Sequence, residues 1–478
     1  MAFRVERDPL GEVRVPADAY YGVQTQRARE NFPVSGVTAS PAFILATVQV
    51  KKAAAEANRD TGRLDARLAA AIIQAADEVL AGRFHDQFVV DVFQAGAGTS
   101  HNMNTNEVLA NRAIEILGGA RGDYRIVHPN DHVNMAQSTN DVFPTAMRVA
   151  ALTLERDLVA ALSHLAGTLE AKGRQFDHVL KSGRTHLQDA VPIRLGQEFA
   201  AWGLAVRRAA ERIGRSFRAM EELNLGATAV GTGLNAEPEY IRRVVERLAA
   251  NTGLALRPAE SLVMSTQFLS PFVEASGALR AYAVDLGKIA SDLRLMSSGP
   301  RTGLAEIRLP AVQPGSSIMP GKVNPVIAEA TNMVCFQVIG NDVTIAMAAE
   351  AGQLELNVMM PVVALNLLQS ITILTSMSRI LADRCVAGIE ANEARCRELA
   401  ERSTGLATAL APTIGYEAAA AIAKEAAATD RPVPAVARER KVLPDDQLDA
   451  ILDPHAMTEP GVPGRTRRRA ARPLEETS

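Results

Sequence analysis

Between Val273 and Met296 the apolar residues Leu279, Tyr282, Leu286, Ile289, Leu293 and Met296 step by 3, 4, 3, 4 and 3. That spacing holds one stripe along one side of an α-helix, whereas a half-buried strand would need a period of two. A stripe this long is covered only by neighbouring helices of comparable length. Similar stripes occur at Leu158, Leu162, Leu165 and Leu169, and between Val191 and Leu223. The expectation is a mainly all-α chain with five long helices, at about 142–173, 191–223, 261–297, 325–350 and 359–388. Shorter helical stretches on either side suggest an N-terminal, mostly helical domain (1–140), a central five-helix bundle domain (141–395) and a small C-terminal domain (396–478). Apolar faces this broad exceed what one chain covers, so an oligomer is expected.

A length of 478 residues fits about three domains or one elongated one and is ample for an enzyme. The net charge of −3 sets up no field that would gather nucleic acid or a membrane surface. The closing "GRTRRRAARPLEETS" is locally basic and reads as a solvated, frayed tail. Residues 357–378 carry no charge, yet Pro361, Asn366, Gln369, Ser370 and Thr372 make the stretch a poor lipid span and favour a helix buried on all sides. Three cysteines without CxxC spacing point to a reducing, cytoplasmic setting, with neither a disulfide framework nor a zinc site.

Polar clusters precede several of the helical stretches. "GAGTSHNMNTNE" places Thr99 and Ser100 after two glycines, and "QSTNDVFP" sets Ser138, Thr139, Asn140 and Asp141 ahead of Pro144. "GRTHLQDAVP" sets Thr185, His186, Gln188 and Asp189 ahead of Pro192, and "KVNPVIAEA" puts Asn324 before Pro325 as an expected N-cap. Singly, each is ordinary helix capping. Together they supply more hydroxyls and amides than caps require, at helix ends whose free N–H groups favour anions. A convergent set of this kind suits a small carboxylate. In the loop "PGSSIMPGKVNP", Gly315 and Gly321 are separated by five residues, where a phosphate-binding P-loop needs four, and Val323 follows Lys322 where a hydroxyl should be. Nucleotide binding is thereby disfavoured. A plain interhelical loop explains the glycines and prolines but neither the two serines nor the lysine.

These blocks resemble those of the aspartase/fumarase superfamily. "GSSIMPGKVNP" is similar to its signature loop, and "GAGTSHNMNTNEVLANR", "HPNDHVNMAQSTND", "GRTHLQDAVP" and "NLGATAVGTGLN" match its other shared blocks in the same order, over nearly the whole chain. "GAGTSHNMNTNE", "QSTND", "NLGATA" and "AEAGQLELNVMMP" resemble the aspartase form; "HPND", "DVFPTAM" and His186 lean toward fumarase. The resemblance implies a central long-helix bundle flanked by two smaller domains, assembled into a homotetramer whose active sites are shared between three chains. It also implies reversible elimination of ammonia from L-aspartate to give fumarate, with no organic cofactor and no metal ligand set. Carried onto this sequence, it makes Ser316 the general base and assigns Lys322 and Asn324 to the α-carboxylate. Thr99, Ser138, Thr139, Thr185 and Ser317 fall around the β-carboxylate, and Asn140 and His186 at the amino group. The alternatives are hydration of fumarate to L-malate on the same scaffold, or a silent scaffold that would have no need of these side chains. "HPND", near His128, is a second anion site in fumarase relatives and reads here as a surface turn.

Overall fold

The computed structural model describes residues 2–465, so the Arg-rich run beyond Arg465 lies outside the described residues. In chain order, the N-terminal part holds β1 (Phe3–Asp8), β2 (Gly11–Pro16), α1 (Val23–Asn31), α2 (Pro41–Asp60), α3 (Ala66–Leu80) and α4 (Thr99–Ile116). The central part holds α5 (Thr139–Gln175), β3 (Leu180–Thr185), β4 (Gln188–Arg194), α6 (Leu195–Phe217), β5 (Glu222–Leu223), α7 (Pro238–Thr252), β6 (Arg257–Pro258), α8 (Leu262–Gln267), α9 (Ser270–Met296), β7 (Ile307–Arg308), α10 (Val326–Glu350) and α11 (Met360–Arg384). β8 (Glu390–Ala391), α12 (Glu393–Arg402) and further short helices follow. The strands form two-stranded pairs, β1–β2, β3–β4, β5–β6 and β7–β8, so the chain is mainly helical as expected.

Helix starts follow from local chemistry. Ser40 caps α2, with Pro41 at its first position, and Asp65 accepts from two N–H groups of α3. The stripe Leu279, Tyr282, Leu286, Ile289, Leu293 and Met296 is buried on α9, as are Leu158, Leu162, Leu165 and Leu169 on α5. Two helix expectations need correction. The helix expected at 191–223 spans only Leu195–Phe217, because 180–194 is a β-hairpin, and the one expected at 261–297 is broken between α8 and α9.

The residues group into two compact units. One comprises the chain up to Leu162 together with Arg208–Leu286 and Met333–Met377; the other comprises Ser163–Arg207, Gly287–Asn332 and the chain from Ser378. The first has a core of Val48, Ile72, Val79, Val108, Leu109 and Ile114 among others. The second has a separate cluster around Leu410, Ile422, Val436 and Leu448.

α10 has two apolar stripes. Cys335, Val338 and Ile345 are buried, while Met333, Phe336, Val343 and Met347 are 67%, 67%, 53% and 68% exposed. α11 is long and apolar enough to cross a membrane, but it buries Val363, Leu367, Ile371 and Leu374. Its Gln369 and Ser370 accept hydrogen bonds from Asn341 of α10, both at 3.0 Å. These are the contacts of a core helix.

Gly98 precedes α4 with φ +86, and a Cβ there would lie 2.1 Å from the Phe143 ring. Both the backbone conformation and the packing exclude a side chain. Gly98→Ala should cost roughly 2–5 kcal/mol of stability, measured by denaturant unfolding; a loss within about 0.5 kcal/mol, the scatter of neutral surface changes, would contradict this.

Candidate active site

Ser316, Ser317, Lys322 and Asn324 share one loop with a pinned neck. The Gly315 N–H donates to the Lys322 carbonyl at 2.8 Å, and Asn324 Nδ2 donates to the Gly315 carbonyl at 2.6 Å. A Cβ on Gly315 would stand 2.6 Å from that Lys322 oxygen, so glycine is required there. Asn324 is therefore not the cap of α10: its amide closes the loop, and the helix begins at Val326, with Pro325 before it. Inside the loop, Ser316 Oγ accepts the N–H groups of Ile318 and Met319 at 3.2 and 3.0 Å. Ser317, Ile318, Met319 and Lys322 are exposed.

Thr185 and His186 sit at the tip of the β3–β4 hairpin and not at a helix N-terminus as expected. Thr185 pairs with Gln188, leaving a two-residue turn in which His186 and Leu187 both have positive φ, 56 and 59. This is the twist-matched hairpin turn, formed here without its usual glycine. Pro192 lies within β4, opposite Ser182. All of 185–189 is exposed.

Thr99 is the first residue of α4 and is exposed, while Gly98 takes the cap position. Ser138 caps α5 through a reciprocal pair. Its Oγ accepts the Asn140 N–H at 3.2 Å, and its own N–H donates to Asp141 Oδ1 at 3.0 Å. Asn140 Nδ2 donates to the Ala229 carbonyl at 2.7 Å, leaving its amide oxygen as the acceptor end. Pro144 lies inside α5 and has no N–H for the Asn140 carbonyl; Asn224 Nδ2 supplies the missing bond at 3.1 Å.

Three residues in this region were not among those expected in the site. Asp141 is fully buried and also accepts the N–H groups of Gly226 and Thr228, at 3.0 and 2.9 Å, which fastens the "NLGATA" block to the start of α5. Burial raises its carboxyl to about 6 against those donors and the charge of Lys51. Lys51, on α2, is also fully buried; its Nζ donates to Asn134 Oδ1 at 2.8 Å and to Gln137 Oε1 at 3.0 Å. Desolvation lowers its ammonium to about 7, opposed by the charge of Asp141. Asn102 and Asn106 of α4 donate to the same Asn134 oxygen, both at 3.3 Å. The Ser138-x-x-Asp141 spacing marked the first of these residues; nothing local marked Lys51 or Asn134.

An open cavity of about 490 Å³ is lined by Arg63, Asn130, Asn134, Gln137, Ser138 and Thr228, among others. "HPND" forms a wide turn in which His128 Nδ1 accepts the N–H groups of Asn130 and Asp131, both at 3.2 Å. A second groove, of about 460 Å³ and mostly apolar, is lined by His178, Leu406, Pro432 and Leu452, among others, and holds none of the expected residues.

Comparison with known proteins gives consistent results. Residues 11–340 match the family described as Lyase, and residues 406–459 match the Fumarase C C-terminus. An aspartate ammonia-lyase of Bacillus subtilis (strain 168) is 55% identical over 97% of this chain and 98% of its own. A class II fumarate hydratase of Halobacterium salinarum is 52% identical over 96% of this chain and 98% of its own. The crystal structure of a fumarate lyase:delta crystallin from Brucella melitensis, bound to cobalt, superposes with TM-score 0.93 at 53% identity, covering 96% of this chain and all of that one.

Lys51 yields a pH prediction. Its folded pKa lies below the unfolded value of about 10.5, so its contribution to stability is complete above that pH and is lost as pH falls through about 7. Asp141 and His101, at about 6 and about 3, titrate below that window. Wild type should therefore gain stability relative to Lys51→Met between pH 7 and pH 9, read from urea midpoints. A gap that stays constant or narrows with pH would contradict the assignment.

Proposed function

The chain belongs to the aspartase/fumarase superfamily, and on that premise we propose that it is an aspartate ammonia-lyase, a carbon–nitrogen lyase converting L-aspartate to fumarate and ammonia. The observation that carries the mechanism is Ser316 Oγ lying within reach of two backbone N–H groups. A serine hydroxyl is too weak an acid to serve as base unless its alkoxide is stabilised, and two preorganised donors aimed at that oxygen favour the ionised form.

In this reading the Ser316 alkoxide removes a proton from C3 of aspartate. The electron pair moves into the neighbouring β-carboxylate, which becomes an aci-carboxylate with two negative charges. Thr99, Ser138, Thr139, Thr185 and Ser317 donate to its oxygens, an oxyanion hole built from neutral groups. Collapse of that intermediate forms the C2–C3 double bond and expels the amine. The Asn140 amide oxygen and His186 contact the amino group, and Lys322 with Asn324 holds the α-carboxylate.

We further propose a homotetramer with each site assembled from three chains. Thr99, the 185–189 hairpin tip and much of the Ser316 loop are exposed in the single chain, and the second apolar stripe of α10 is uncovered. Covering that stripe with other copies removes its apolar surface from water. The three cysteines are buried, free thiols, their pKa values raised to about 12 by desolvation, which suits the reducing cytoplasm.

Hydration of fumarate is the second reading, and the Halobacterium salinarum relative supports it. Purified protein given L-aspartate or L-malate separates the two by fumarate absorbance. Turnover of L-aspartate is expected, and turnover of L-malate alone would reverse the assignment. Ser316→Ala should lower kcat by about 10³-fold, the contribution of a general base, with the oligomer intact; near-normal turnover would remove Ser316 from the role of base. Phe336→Glu with Met347→Glu should yield smaller species in sedimentation, and an unchanged oligomer would mean that this face is not the interface.

A further inference from the structure

Glu306 is completely buried, ten residues before Ser316, on the segment that leads through β7 to the loop. Its carboxylate receives two cations from β3. Arg184 Nη1 lies 2.8 Å from Oε1, and Lys181 Nζ lies 3.3 Å from Oε2. Lys181 also pairs with Glu198 at the start of α6, at 2.9 Å. Two cations thus meet two carboxylates and the cluster is neutral, the condition under which buried charges are tolerated.

The strand is shaped to make this contact. Lys181 and Arg184 are three residues apart and would face opposite sides of a regular strand. The register shifts between Ser182 and Arg184, which brings both cations to the one carboxylate. A Cβ on Gly183 would fall 2.6 Å from the Val191 carbonyl, so the irregularity also depends on glycine. Arg184 is followed directly by Thr185 and His186.

The Glu306 backbone is fixed as well. Its N–H donates to the Met296 carbonyl at 2.9 Å, ending α9, and its carbonyl accepts the Asn392 N–H at 2.8 Å. Asn392 Nδ2 donates to the Ala305 carbonyl at 2.9 Å, and β7 pairs with β8. The carboxylate is therefore held at a fixed place between a helix end and a strand pair.

We propose that Glu306 is a positioning residue. Through Arg184 and Lys181 it sets the hairpin that carries Thr185 and His186 relative to the segment that carries the Ser316 loop. The kinetic side of this inference rests on the aspartate ammonia-lyase reading; the structural side does not.

Hydrogen–deuterium exchange of wild type, Glu306→Gln and Arg184→Lys tests the structural side. Arg184→Lys keeps every charge and so spares the fold, while shortening the reach and losing the guanidinium fork. Both variants should exchange faster than wild type in 180–194 and in 307–324. Unchanged protection in either segment would overturn the proposal. With L-aspartate, both should lose about 10²-fold in kcat, the scale of a small misplacement of reacting groups, with little change in KM. The double variant Arg184→Met with Glu306→Gln restores charge balance, so its Tm should return toward wild type while kcat stays low. Recovery of kcat together with Tm would make Glu306 a charge-balancing residue only. If wild type turned over no L-aspartate, the function reading would fall, and the exchange data would still decide the positioning role.

Discussion

A carboxylate removed from water must be matched by donors or cations, and two such groups organise the regions that matter here. Asp141 collects three backbone N–H groups, from Ser138, Gly226 and Thr228. Glu306 collects two cations, Lys181 and Arg184. Each lies within three residues of a group assigned to substrate, directly or through its partner: Asp141 beside Ser138–Asn140, and Glu306 through Arg184 beside Thr185 and His186. Glu107 shows the same device at the N-terminal segment, where it accepts from Gly22, Gln24 and Thr25 at the start of α1. Asp141 and Glu107 satisfy backbone donors that would otherwise have to find water, while Glu306 neutralises two buried cations. The long helices supply the frame, and buried acids fix the loops to it.

What the sequence made legible follows from which forces are local. The α9 and α5 stripes were readable because an apolar period of 3.6 is set within a few turns, and those residues are buried. The capping pair at Ser138 and Asp141 was also local. The β3–β4 hairpin is hidden in the sequence because "LQDAVPIRL" has the polar residues and proline of a helix start, while its turn, at His186 and Leu187, lacks the glycine that signals a hairpin. The role of Asn324 is hidden for a related reason. An Asn-Pro pair looks like a cap, but the amide finds a partner nine residues back, at Gly315.

Lys51 was invisible for a different reason. In "VQVKKAAAEANRD" it stands next to Lys52, and two adjacent lysines read as a solvated face. Only one is solvated. Lys52 pairs with Asp77, which is half exposed, while Lys51 points inward to Asn134 and Gln137, more than eighty positions away. Desolvation of a lysine is a property of the tertiary contact, and no local pattern reports it. Asn134 is hidden for the same reason, since its worth lies in being the acceptor on which Lys51, Asn102 and Asn106 converge.

In the proposed mechanism the Ser316 loop carries both the base and the N–H groups that would stabilise it. Its neck is pinned by the Gly315–Lys322 bond and by Asn324, and its tip stands in solvent. Were such a loop to move, its base would need stabilisers that move with it. Donors supplied from the fixed scaffold would be lost whenever the loop opened, and the serine would revert to an ordinary hydroxyl. Here the donors are Ile318 and Met319, two and three residues along the same tip. The proposed base and its stabilisers therefore belong to one local turn, so the two donors stay with Ser316 wherever the tip lies.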